Sequence, residues 1–441
     1  MPSSHDRSRV PSNAAAPSPS PSTPGARSAH PEVPPQIEAA VRSPLGSEDS
    51  ASLRAALARR IAIFDTTLRD GEQSAGVCFS AHDKAEIALL LDALGVDVIE
   101  AGFPVSSPEE AAAVAAVALE VRDASVCALA RAVPRDVAAA GEALRHARAP
   151  RIHVFVNASD MQLAHQLGKS REQVVAMAAA MVRSAREFTD DVEFSPMDAT
   201  RAEPEFLAEL ARAVLAAGAR TLNLPDTVGC ATPEQVAEMI RGVRARVPEL
   251  ERATISFHGQ DDLGLATANS LAAIAAGAGQ VECTINGIGE RAGNTSLEEV
   301  AAALRVHGAR LGMTTALKLD TLYALSRIVA ERSGIEVPAN KAVVGRNAFR
   351  HASGIHQDGV LKHRETYETL DPAWIGHPVG SEIVLGKLSG RARFAARVAA
   401  LGEVLSEAQC ERAFRAFQQL AARSREVSDV QLREIVARSA A

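Results

Sequence analysis

From residue 60 onward the chain alternates between two patterns of apolar residues. Short β-branched and apolar runs come first: RIAIFDTT (60–67), VDVIEAGFP (96–104), ASVCALA (124–130) and RIHVFVN (151–157). DVEFSPM (191–197), TLNLPDT (221–227), TISFHGQ (254–260) and QVECTING (280–287) follow. Runs of this length and composition predict strands. Between them lie Ala- and Leu-rich stretches with helical spacing, such as SAHDKAEIALLLDALG and TPEQVAEMIRGVRARV. The second of these opens on Thr232, with Glu234 and Gln235 in its first turn, a helix start. Eight βα units in about 250 residues match the count and size of a (β/α)8 barrel. A doubly wound open sheet is the alternative, but no GxGxxG follows the first strand.

The two ends of the chain read differently. Residues 1–50 are rich in Pro, Ser and Ala and show no apolar period, so they are expected to be disordered. They lack the apolar core of a secretory signal, and the prolines oppose the amphipathic helix of a transit peptide. The barrel rhythm runs over 60–312. Beyond it, residues 315–441 hold a Gly-, Asn- and His-rich stretch, the single Trp374, and helical patterns near 404–423 and 427–438. They predict a smaller, mostly helical C-terminal region.

Composition narrows the function without naming it. In 441 residues the net charge is -7, which argues against nucleic acid as the main partner. No apolar run reaches about 18 residues, so no membrane span is predicted. The five cysteines are dispersed without a CxxC, which fits a reducing cytoplasm rather than a disulfide or zinc framework. Cys127 and Cys283 fall inside predicted strands and read as packing residues.

A (β/α)8 barrel builds its active site at the C-terminal ends of its strands. Those ends carry Asp65, Arg69, Asp70 and Gln73 after the first strand, Glu100 on the second, Arg131 after the third and His153 on the fourth. They continue with Asp198, with Asp226 and Thr227, with His258, Gln260, Asp261 and Asp262, and with Asn286, Glu290, Arg291 and Asn294. Loops are polar in general, which explains any single one of these. It explains less well His258 and Gln260, which share one strand face by the period of two. With Asp70 and Asn294 they form an oxygen- and nitrogen-rich set suited to Mg, Mn, Co or Zn. A lone His at a barrel mouth serves equally as a hydrogen-bonding group for substrate.

DTTLRDGEQ (65–73), DDLGLATANSLAA (261–273), NGIGERAGN (286–294) and SGIHQDGVLK (353–362) together resemble the homocitrate synthase / 2-isopropylmalate synthase family, from about residue 60 to the C-terminus. The resemblance implies a Claisen-type condensation of acetyl-CoA with a 2-oxo acid, hydrolysis of the thioester, and a 2-substituted malate as product. It also implies a divalent cation and a homodimer in which the C-terminal region reaches into the neighbouring subunit. Carried over by motif, Asp70, His258, Gln260 and Asn294 would be metal ligands. Arg69 would stand beside the substrate oxygens. Gln73, Arg131, His153, Met197 and Thr227 would contact substrate, and His356 with Tyr367 would be the acid/base pair.

This sequence departs from the family pattern at three places. Gln260 stands where the family has the second His of HxH, Met197 replaces the Glu of SPED, and Leu388 replaces the His of GKHSG. Losing a carboxylate and a histidine implies an altered acceptor pocket. One alternative is therefore a phosphorus-containing pyruvate, giving 2-phosphonomethylmalate or 2-phosphinomethylmalate in antibiotic biosynthesis. Others are a decayed metabolite-binding protein and a hydroxy-acyl-CoA lyase. The 85 residues after His356 (441 − 356) are too few for the separate leucine-sensing domain that the resemblance would otherwise bring.

Overall fold

A computed structural model describes residues 58–424 and 426–440. The expected disorder of residues 1–50 lies outside the described residues. Eight parallel strands close into a barrel: β1 (Ala62–Asp65), β2 (Val98–Gly102), β3 (Ser125–Arg131), β4 (Pro150–Asn157), β5 (Asp191–Met197), β6 (Thr221–Asp226), β7 (Thr254–Gly259) and β8 (Gln280–Cys283). Each lies within, or one residue beyond, an apolar run of the sequence, and β8 pairs back onto β1 through Ile63 and Val281. The helices that return the chain are α1 (Ala81–Leu94), α2 (Pro108–Glu120), α3 (Pro134–Ala143), α4 (Arg171–Ala185), α5 (Pro204–Ala216), α6 (Pro233–Arg246), α7 (Ala266–Ala276) and α8 (Leu297–Leu311). The (β/α)8 expectation holds, and the open sheet is excluded by the closure.

Local chemistry starts these helices where the sequence changes period. Ser80, Ser170 and Thr232 each cap their helix with a side-chain oxygen and donate their own N–H to the side chain of Asp83, Gln173 and Gln235, closing a capping box. Proline opens α2, α3, α5 and α6, where its missing N–H costs nothing.

The main apolar core lies between strands and helices, not inside the barrel. Inside, Phe64, Val98 and Cys127 form a small apolar cluster. The other inward positions are largely polar. Arg151 bonds Asp191, Glu193 and Gln280, and Gln280 bonds Glu193 and Ser256. Burial pushes the Glu193 carboxyl up to about 7, against the lowering pull of Arg151 and His153. A buried polar interior of this kind is tolerated because its members satisfy one another.

After the barrel come α9 (Leu322–Ser333), α10 (Gly354–Lys362), α11 (Arg391–Ala400), α12 (Glu407–Ala421) and α13 (Asp429–Ala440). They serve two cores. Leu322, Leu325 and Val329 of α9, with Val344, Phe349 and Ile375, pack into the barrel's own core. Leu385, Phe394, Phe417, Leu432 and Ile435 form a separate small core. Among the described residues, no helix is long and apolar enough to cross a membrane.

Candidate active site

A cavity of about 970 Å³ opens at the C-terminal ends of the strands. Its lining includes Arg69, Asp70, Gln73, Arg131, His153, Met197, Thr227, His258 and Gln260. The barrel therefore gathers nine of the twelve expected site residues around one space.

Asp70 sits in the turn after β1, its N–H bonded to the Thr66 carbonyl and hydroxyl. His258 and Gln260 stand at the end of β7, two residues apart on one face. Gln260 Nε2 donates to Asp70 Oδ2 at 2.9 Å and lies 3.1 Å from His258 Nε2, which is itself 3.6 Å from Asp70 Oδ2. Asn294 does not line the cavity but forms an antiparallel bridge with Gln260. Gly293 lets the Gly287 turn pack close beside Asn294. Its φ is +100°, and a Cβ there would lie 2.0 Å from the Gly287 carbonyl oxygen.

Behind His258, Glu282 on β8 meets Nδ1 at 2.8 Å. The carboxylate holds the Nδ1 proton and turns Nε2 toward Asp70 and Gln260. Burial pulls the basicity of His258 down, but the Glu282 hydrogen bond and the charges of Glu282 and Asp70 outweigh it, and the net shift is upward. Arg69 bonds Glu100 through Nε at 2.7 Å and reaches Asp70 at 3.1 Å. Its burial is outweighed by those carboxylates, so its affinity for the proton rises. Glu100 also accepts from Thr66 Oγ1 at 2.7 Å and meets His153 Nδ1 at 2.8 Å. Burial raises its carboxyl, but Arg69 and His153 pull it well below the usual carboxylate range. His153 completes the chain through Nε2 to Ser195 Oγ at 2.6 Å, and Asn223 Nδ2 donates to the same hydroxyl.

Other expected residues serve the frame. Thr227 Oγ1 accepts from the Asp198 N–H at 2.9 Å. Asp198 has φ +69° and pairs with Arg201. Asp226 accepts from Ala231 N–H and Thr200 Oγ1. Arg131 pairs with Asp136 at 2.6 Å and lies over the Phe103 ring. His356 and Tyr367 stack on each other, with ring centroids 4.1 Å apart. They are exposed on the C-terminal region and do not line this cavity, so within one chain the expected acid/base pair is apart from the barrel mouth. Cys127 and Cys283 are buried in strands, as expected.

Sequence reasoning missed Ser195, Asn223 and Glu282. The available signal was the period of two: Asn223 and Glu282 are polar residues at inward positions of apolar runs. The cavity also has an apolar wall of Leu129, Phe155, Met197 and Pro225. Pro225 is the register partner of His258, and Leu129 that of His153, so this wall adjoins the polar end.

The donor set fits a divalent cation. Asp70 offers a carboxylate and His258 a ring nitrogen. Gln260 Oε1 and Asn294 Oδ1 are buried acceptors with no protein partner. Buried acceptors of this kind call for a donor or a cation. Deeper in the barrel, ligand atoms of His153, Glu193 and Glu282 also lie within 4.8 Å of one another, but the His153 nitrogens and the Glu193 carboxylate are already bonded.

Comparison with known proteins gives concordant results. The HMGL-like family profile matches residues 60–329, and the "Homocitrate synthase post-HMGL domain-like" profile matches 343–425. A 2-isopropylmalate synthase of Pyrococcus furiosus is 52% identical over 86% of this chain and 76% of its own length. One of Carboxydothermus hydrogenoformans is 52% identical over 85% and 73%. Among solved structures, the HMG-CoA lyase of Bacillus subtilis superposes with a TM-score of 0.54 at 23% identity, over 64% of this chain and 96% of its own, a likeness of fold.

Proposed function

The chain belongs to the HMGL-like family, in its homocitrate synthase / 2-isopropylmalate synthase branch, and from that membership we propose that it condenses acetyl-CoA with a 2-oxo acid carrying a short apolar side chain, of the 2-oxoisovalerate class. The observation that carries this reading is the division of one cavity into a polar end, at Arg69, Asp70, His258 and Gln260, and an adjoining apolar wall, at Leu129, Phe155, Met197 and Pro225. A 2-oxo acid of this class has both halves. Of the three departures, Met197 is consistent with it, since it extends the apolar wall where a carboxylate would interrupt it.

In this reading Asp70, His258, Gln260 and Asn294 hold a divalent cation, which when bound polarises the 2-oxo carbonyl as a Lewis acid. Arg69 is immobilised by Glu100 and Asp70 and presents a fixed cation to the oxygen that becomes the alkoxide. The acetyl methyl gives its proton to a base, and the resulting carbon forms a bond to the keto carbon. The alkoxide takes up a proton, and water then cleaves the thioester to a carboxylate and free CoA thiol. His356 with Tyr367 supplies the acid/base function from a second copy of the chain, which makes the enzyme a homodimer. In support, Ile355 and Leu388 beside this pair are 74% and 75% exposed, an apolar surface that a second copy would cover.

The test is thiol release from acetyl-CoA with Mn2+, against 2-oxoisovalerate, pyruvate, 2-oxoglutarate, oxaloacetate and phosphonopyruvate. Preferred turnover of 2-oxoisovalerate is expected. Preference for phosphonopyruvate would move the acceptor to the phosphonate class. Cleavage of 3-hydroxy-3-methylglutaryl-CoA to acetyl-CoA and acetoacetate, with no thiol released, would make the protein a lyase, and no turnover of any of these by folded, metal-loaded protein would leave a binding protein.

A further inference from the structure

The side chain of Gln260 is turned so that Nε2 bridges Asp70 Oδ2 and His258 Nε2, while Oε1 is buried without a partner. That orientation is electrostatically dictated. Two acceptors face the amide, so its donor end turns to them. A cation between Asp70 and His258 reverses the preference, because the same position must then offer a lone pair. A half-turn about the terminal torsion, which is broad and roughly two-fold, exchanges Oε1 for Nε2 with little movement of other atoms.

We propose that Gln260 is a metal ligand through its amide oxygen, and that the resulting set of three oxygens and one nitrogen makes this site select hard cations of the Mg2+ and Mn2+ type over Zn2+. The three atoms concerned form a triangle with edges of 2.9, 3.1 and 3.6 Å. Ligands of one cation at about 2.1 Å are separated by about 3.0 Å on an octahedral face; the two edges at the Gln260 amide have that length and the His258–Asp70 edge is longer, so the three groups are close enough to share one cation. Asn294 supplies the third oxygen. Its Nδ2 is spent on the Ile288 carbonyl at 3.0 Å, which leaves Oδ1 as the free acceptor. A histidine at position 260 would replace an amide oxygen by an imidazole nitrogen, a donor better suited to zinc. The inference rests on the cation assigned under the proposed function, but its test needs no turnover.

The full chain, without substrates, is titrated with Mn2+ by calorimetry and by loss of the free-ion EPR signal, and with Zn2+ by competition. Gln260→Leu is expected to weaken Mn2+ binding about tenfold or more. Gln260→His is expected to shift the Kd ratio toward Zn2+ by about tenfold or more. Unchanged Mn2+ affinity in Gln260→Leu overturns the ligand assignment, and an unshifted ratio in Gln260→His overturns the selectivity. If Gln260→Leu fails to fold, Gln260→Glu decides the matter. A carboxylate oxygen in place of the amide should tighten Mn2+ binding about tenfold, and no tightening overturns the assignment. If these shifts hold while no acceptor releases CoA, the proposed reaction fails and the ligand assignment stands.

Discussion

Replacing Lys84 by Met tests whether the barrel mouth is held by buried charge. The Lys84 side chain, on α1, is 1% exposed. Its Nζ bonds Glu72 Oε2 at 2.7 Å, both oxygens of Glu110 at 2.7 and 2.8 Å, and the Ala101 carbonyl at 3.3 Å. Glu72 lies in the turn that carries Asp70 and Gln73, and it also accepts from Phe79 N–H. Glu110 accepts from Phe103 N–H, at the cavity wall. One ammonium therefore ties the loop after β1 to the loop after β2. Methionine fills the space and leaves two carboxylates unpaired. Breaking a fully buried pair costs about 3–5 kcal/mol. The carboxylates here are 21% and 17% exposed, which reduces the expected cost to about 2–4 kcal/mol. At about 2.1 cal/mol/K per residue over roughly 380 residues, the unfolding entropy is about 0.8 kcal/mol/K, so Tm should fall by about 3–5 °C. Scanning calorimetry of both proteins at one scan rate measures this. A Lys84→Met protein melting within about 1 °C of wild type would refute the reasoning. So would a Glu110→Gln background in which Lys84→Met costs as much as before, since the pair would then carry no coupling.

Three further outcomes follow from the same geometry. Asp65 is fully buried, and burial pushes its carboxyl up to about 7 despite the Thr67 hydrogen bonds. The folded protein thus keeps a proton that the unfolded chain releases near pH 4, and this contribution, full below about pH 4, is lost as pH rises through about 7. Asp65→Asn should therefore melt closer to wild type, or above it, at pH 8 than at pH 5, and a pH-independent Tm difference would contradict the assignment. Glu282→Gln removes the carboxylate behind His258 and should weaken Mn2+ binding about 10–100-fold by calorimetry; unchanged affinity would deny Glu282 its orienting role. Met197→Glu places a charge in the apolar wall and should raise KM for 2-oxoisovalerate about tenfold or more, whereas an unchanged KM would remove Met197 from the acceptor pocket.

The barrel and much of its mouth are legible in the sequence because period and position carry the information. RIHVFVN becomes β4 and DVEFSPM becomes β5 because β-branched runs of that length fit nothing else between helices. His258 and Gln260 converge with Asp70 because strand ends in a closed barrel converge. What sequence conceals is which polar group bonds which. Thr227 lines the cavity as expected, and its hydroxyl also holds the backbone of Asp198. Arg131 lines it as well, with its guanidinium paired to Asp136. Lys84 carries no local signal, because its partners lie 12 and 26 residues away, in the turn after β1 and in the first turn of α2. His356 and Tyr367 are adjacent as the motif implies, but their place relative to a barrel mouth depends on docking between surfaces, which no local pattern encodes.

The distribution of unmet hydrogen bonds carries the chemical argument further than the list of polar residues does. Lower in the barrel, Arg151, Glu193, Gln280 and Ser256 satisfy one another, and a closed network of that kind is a rigid floor. Toward the mouth, on the side of β2 to β5, Glu100, His153 and Ser195 are likewise paired. On the side of β6 to β8 and the loop that follows, Asn223 Oδ1, Gln260 Oε1, Glu282 Oε1 and Asn294 Oδ1 are buried acceptors without partners. Leaving each unpaired costs about 1–3 kcal/mol. Every one of these atoms is an oxygen acceptor, so the group that answers them must bring positive charge or donated protons. In the proposed reading a cation with its bound substrate meets that requirement, which an anion would not. It leaves the apolar wall beside Pro225 and Leu129 to read the rest of the acceptor.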